Sequence, residues 1–219
     1  RSPSDGNFNW RQVMWHEMAH VYHIQKANYR VPRWFTEGLA EYETNVKDPA
    51  WIRHHDQQIA AALEQGDIPS VVELDKRFTQ ARSYKGILQA YHLSSLVIHY
   101  IVGRHDFEAI NEMLEGFAEY RDTGVVIEKV LGQSVEEFDR GFRDWLRRRY
   151  INFEGQFLFD LSELRSLRRL QKQVDAAPDD VVARAKLAAA QSLHGKRKAA
   201  EESIARALEA GPKVPEVKY

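Results

Sequence analysis

His16-Glu17-Met18-Ala19-His20 is an H-E-x-x-H pattern. Residues four apart share one face of an α-helix. His16 and His20 are therefore expected to aim two imidazoles at one point, as two nitrogen ligands of a tetrahedral zinc would be. Glu17, one residue on, is placed to take a proton from a water at that point. Two histidines leave the site incomplete, because a catalytic zinc usually has three protein ligands and one water. The third must come from elsewhere in the chain.

Residues 32–43 read Pro32-Arg33-Trp34-Phe35-Thr36-Glu37-Gly38-Leu39-Ala40-Glu41-Tyr42-Glu43. Here the chain resembles the gluzincin metallopeptidases, the clan of thermolysin and the M1 aminopeptidases. In that clan a second helix supplies a glutamate within a W-x-x-E-G-[LF]-A pattern. Trp34, Glu37, Gly38, Leu39 and Ala40 match it, and sixteen residues separate His20 from Glu37. The resemblance implies His16, His20 and Glu37 as zinc ligands and Glu17 as general base. A metzincin would need glycine and histidine where this chain has His23 and Lys26, and no inverted H-x-x-E-H occurs.

Elements must position these groups. Asn9 is a suitable N-cap for a helix over Trp10–Lys26, whose broad apolar content predicts a largely buried helix. After a short connection, Pro32 suits the start of a second helix, Arg33–Asn45. Glu41 lies one turn beyond Glu37; it is either a partner for the second nitrogen of a ligating histidine or a solvated carboxylate. Asp48-Pro49 opens a helix to about Gln65, carrying His54 and His55 as surface residues. Ser70 caps a short helix, Val71–Arg77.

A long helix is expected over 82–102. Its Ala90-Tyr91-x-x-Ser94 resembles the clan's tyrosine helix, which implies Tyr91 as donor to the oxyanion of the tetrahedral intermediate. Tyr84, in a Tyr-Lys-Gly sequence, is the alternative, and a core tyrosine with its hydroxyl bonded is the non-catalytic reading. His105–Phe117 and Thr123–Leu131 read as amphipathic helices. Ser134-x-x-Glu137 is a capping box opening a helix to about Tyr150.

The expected fold is mostly α. A helical zincin catalytic domain spans residues 1–150, an aromatic linker 151–159, and a tetratricopeptide-like helical extension 160–219. Pro178 and Pro212 stand thirty-four residues apart, the period of that repeat, and Gly195 separates helices at Asp180–His194 and Lys196–Ala210. Leu161–Val174 is a poorer partner helix. Fifteen residues precede His16, so most of the β-sheet that gluzincins carry upstream is expected to be missing, as in an excised piece of a longer protein.

Composition narrows the function. Lysine and arginine total 31 against 32 acidic residues, a net charge of −1. No clustered basic face suggests nucleic acid, and Arg147-Arg148-Arg149 suits a helix C-terminus. No apolar run is long enough to span a membrane. Without cysteine there are neither disulfides nor thiolate ligands. The resemblance implies zinc-dependent hydrolysis of a peptide or protein substrate, in an exported or periplasmic bacterial setting, with endo- or exopeptidase action open. The alternative is a tetratricopeptide-type module that binds a protein partner and keeps a structural or vestigial zinc site.

Overall fold

The structure is a computed structural model that describes residues 9–51, 55–81, 84–153, 163–214 and 216, the side chains of Tyr84 and Lys85 excepted. His54, the opening loop 1–8 and most of the expected linker lie outside the described residues. Eleven α-helices and no strand occur among the described residues, so the fold is mostly α. None of these helices is long and apolar enough to cross a membrane. The chain divides into two compact units, Arg1–Asn152 and Phe153–Tyr219.

In the first unit, α1 (Trp10–Lys26) begins at Asn9, whose side chain accepts from the Gln12 amide at 3.2 Å. The helix stops where Asn28 and Tyr29 turn left-handed, with φ of 48° and 59°. That turn reverses the chain into α2 (Arg33–Lys47). A carboxylate brought in by α4 (Leu74–Thr79) caps α2, since the Trp34 amide donates to Asp75 Oδ1 at 2.7 Å. This satisfies one of the amides a helix start leaves without an internal partner.

Helix α2 is the centre of the unit. Trp34, Phe35, Leu39 and Ala40 are almost wholly buried, and α2 packs between α1 and α5 (Tyr84–His105). The α2–α5 crossing needs Gly38. A Cβ there would stand 2.6 Å from the Ser94 carbonyl oxygen and 2.9 Å from its Cβ. Because the obstacle is backbone, relief requires the helices to part. Gly38→Ala is therefore expected to cost about 2–3 kcal/mol, read as a melting temperature lower by about 5–10 °C in a circular dichroism scan. An unchanged midpoint would show that the crossing is looser than drawn.

The remaining helices close the core. They are α3 (Asp56–Glu64), α6 (Glu108–Tyr120), α7 (Thr123–Val126) running into a π turn at Ile127–Leu131, and α8 (Val135–Arg149). The Ser134–Glu137 capping box opens α8. Phe138 and Phe142 of α8 pack on Tyr100 of α5, ring centroids 5.4 and 5.6 Å apart.

Two expectations are corrected. The helix expected from Asp48 to Gln65 is, over the described residues, a 3-10 turn at Pro49–Trp51 and then α3. More consequentially, α1 is not largely buried: His23 is its single buried residue, and Met14, Met18, Val21 and Tyr22 are more than half exposed. Counting apolar residues missed which stripe turns inward. The stripe facing α2 is the histidine one, at i, i+4 and i+7, so the apolar side chains point elsewhere.

The second unit holds α9 (Leu167–Ala176), α10 (Val181–Leu193) and α11 (Arg197–Ala210). Gly195, at φ +73°, makes the turn between the last two. Leu164, Leu170, Val174 and Leu187 form one apolar cluster, and Ala185 meets Ala207 in another. Alanine at the α10–α11 contact allows close approach.

Candidate metal centre

His16, His20 and His23 lie along the α2-facing side of α1, and α2 answers with Thr36, Glu37 and Glu41. His16 Nε2 is 3.4 Å and His20 Nε2 3.2 Å from the same atom, Glu37 Oε2. One ligand atom from each of His16, His20 and Glu37 lies within 4.8 Å of the other two, the one such group that could hold a metal among the described residues. Their side chains keep 15%, 16% and 12% of their surface exposed. A small ion and a water can therefore reach them.

The outward nitrogens are also engaged. His20 Nδ1 lies 2.8 Å from Thr36 Oγ1, and His23 Nδ1 lies 3.3 Å from that oxygen. A metal held by His20 Nε2 would put the ring proton on Nδ1. His20 then donates to the Thr36 oxygen, and the Thr36 hydroxyl donates to His23. This needs a neutral His23. Burial, helped by the neighbouring His20, lowers its pKa to about 4. Glu41, buried, places Oε1 3.7 Å from His16 Nδ1.

Two further donors meet the far oxygen of the Glu37 carboxylate. Tyr91 OH donates to Glu37 Oε1 at 3.2 Å, and Arg33 Nε donates to it at 3.3 Å. Burial works against an ionised Glu37, yet bonding to His16 and His20 outweighs it and holds its pKa well below the usual carboxylate range. Burial and then the Glu37 charge push Tyr91 up, so its hydroxyl keeps its proton. The guanidinium of Arg33 rests over the Phe78 ring, 5.1 Å from its centroid.

The structure thus gathers His16, His20, Glu37, Glu41 and Tyr91. Glu17 sits on the exposed side of α1, next to the group in sequence and outside its hydrogen bonds. Tyr84 is the first residue of α5, and its side chain lies outside the described residues. Three contributors escaped sequence reasoning. Arg33 could have been found by its i, i+4 spacing to Glu37. His23 could have been found by its place on the same helical face, seven residues beyond His16, whereas Thr36 carried no signal, because its pairing exists only once α1 lies on α2.

His92 belongs to another cluster. Its Nε2 is 3.1 Å from Asp56 Oδ1, which also accepts from Tyr150 OH at 2.6 Å. Bonding to His92, against the opposing effect of burial, holds Asp56 at about 2. This ties α3 to α5 and to the end of α8.

The donor set fits zinc. It offers two imidazole nitrogens, that of His20 with its outer nitrogen bonded to Thr36, and one carboxylate kept ionised. No protein-family model, no curated protein and no solved structure matches the chain.

Proposed function

We propose that the first unit is a zinc-dependent peptidase domain of gluzincin type. The observation that carries this reading is the convergence of His16 Nε2 and His20 Nε2 on one oxygen of Glu37, with an exposed glutamate next to His16 in sequence. His16, His20 and Glu37 would hold the ion. When bound, zinc supplies Lewis-acid polarisation of a carbonyl and brings water toward deprotonation near neutral pH.

The chain's own residues do the rest. Glu17 takes a proton from the attacking water and returns it to the leaving amine. The Tyr91 hydroxyl, protonated and already inside the site, turns from Glu37 to the developing oxyanion. A donor of this kind lowers the barrier by about 3–4 kcal/mol. Arg33, left on Glu37, keeps that carboxylate in place. Thr36 holds the His20 imidazole, and the Glu41 carboxylate lies beside that of His16.

The second unit serves in this reading as a tetratricopeptide-like, protein-binding extension. Its helical hairpin with a turn at Gly195 and a thirty-four-residue proline spacing supports that role. An exported bacterial setting follows from the same resemblance.

The test is zinc-dependent cleavage of a mixed peptide library by the purified chain, with Glu17→Gln as control. Cleavage that ignores chelation of zinc would sink the proposal. Thr36 gives an independent check of the site. Thr36→Val removes the acceptor for His20 and is expected to weaken zinc binding about 10–100-fold, measured by competition with a chromophoric chelator. Thr36→Ser should restore it.

A further inference from the structure

Besides its histidine face, α1 presents an apolar one. Trp15, Met18 and Tyr22 form one wall of a groove of about 370 Å³, and Phe107, at the N-cap of α6, with Ile110 and Leu114 of α6 form the other. Each wall follows helical spacing. Tyr22 OH bonds Asn111 Oδ1 at 3.4 Å, and Lys26 Nζ bonds Glu115 Oε1 at 2.8 Å. The two pairs share one sequence offset, so the helices run in the same direction.

The groove lies open to solvent. Met18 is 61% and Tyr22 55% exposed, and Met14 and Val21 extend the apolar surface along α1. Its α6 side is acidic: Glu108, Glu112, Glu115 and Glu119 are exposed, and α6 contains no lysine or arginine. Glu43 lines the groove itself, and burial raises its pKa. The cations nearest these walls are engaged: Lys26 with Glu115, Lys47 over the Trp15 ring at 4.5 Å, and Arg30 with the Ala118 carbonyl of α6.

We propose that this groove docks a basic amphipathic helix of another polypeptide, its apolar face between α1 and α6 and its lysines or arginines against the glutamates of α6. Parallel walls with i, i+3, i+4 and i+7 anchors suit a helix. The acidic edge selects its charge. A second copy of this chain would bring one acidic α6 against another, and an anionic bilayer would be repelled in the same way. Both fit the apolar stripe and fail on the charge. The proposal is independent of what the metal centre does.

The experiment uses the full chain and two fluorescein-labelled helical peptides of about 18 residues. Both carry leucines at i, i+3, i+4 and i+7; one is flanked by lysines and the other by glutamates. The lysine peptide should bind at least about tenfold more tightly, the sum of two or three exposed ion pairs. Met18→Asp should weaken both peptides, and the double variant Glu108→Lys, Glu112→Lys, which leaves two lysines against Glu115 and Glu119, should abolish the preference. These side chains are exposed, so the fold persists, which circular dichroism checks. Equal binding of the two peptides, or none, would overturn the proposal. So would a concentration-dependent dimer in sedimentation, or capture on phosphatidylserine vesicles, that Met18→Asp removes.

Discussion

Glu17→Gln is expected to lower zinc-dependent peptide hydrolysis by about 10²–10⁴-fold, the usual contribution of a positioned general base. Zinc content should stay at one ion per chain. The substitution is nearly isosteric and removes only the capacity to accept a proton. Glu17 is exposed and lies outside the hydrogen bonds joining His16, His20 and Glu37. The variant should therefore melt with the parent and keep its ligand geometry. Stopped assays on a cleaved library peptide, beside elemental analysis of both proteins, separate chemistry from metal binding. Full activity in the variant would remove Glu17 from the mechanism.

Glu37→Ala is expected to have the opposite signature, losing the metal itself. Glu37 is the atom source on which both imidazoles converge, and without it two nitrogens face an apolar methyl. Zinc in the purified protein should fall from about one ion per chain to near none, since two ligands fall short of the three that such sites use. In the parent, zinc at about a thousandfold over its Kd should add about 4 kcal/mol to the unfolding free energy, and the variant should lack that gain. Melting in chelator is the control, because Glu37 also accepts from Tyr91 and Arg33. A parent that takes up no zinc would end the peptidase proposal and leave those contacts as a structural network.

Much of the framework was legible in local sequence. Asn9, Pro32 and the Ser134–Glu137 box mark helix starts that the structure shows. Asn9 and Ser134 work at short range because each satisfies a backbone amide three residues on, whereas Pro32 brings only its fixed φ and the amide of Trp34 is capped from Asp75. The break between Pro49 and α3 was less legible, since nothing between Trp51 and Asp56 announces it as glycine or proline would.

The sequence by itself determined the helices that carry the site and the donor types. Four-residue spacing puts His16 and His20 on one face whatever surrounds them, and Trp34-x-x-Glu37-Gly38 offers a carboxylate beside the residue that lets α5 come close. Only the tertiary structure decided which atoms meet. It turned α1 with its histidines inward and its methionines outward. It threaded His20, Thr36 and His23 into one chain of hydrogen bonds, and it brought Tyr91 and Arg33 onto the same carboxylate oxygen. Helical periodicity is a property of neighbours within a turn or two. Those meetings depend on how α1, α2 and α5 cross, which is set by packing at Gly38 and by the turn at Asn28 and Tyr29.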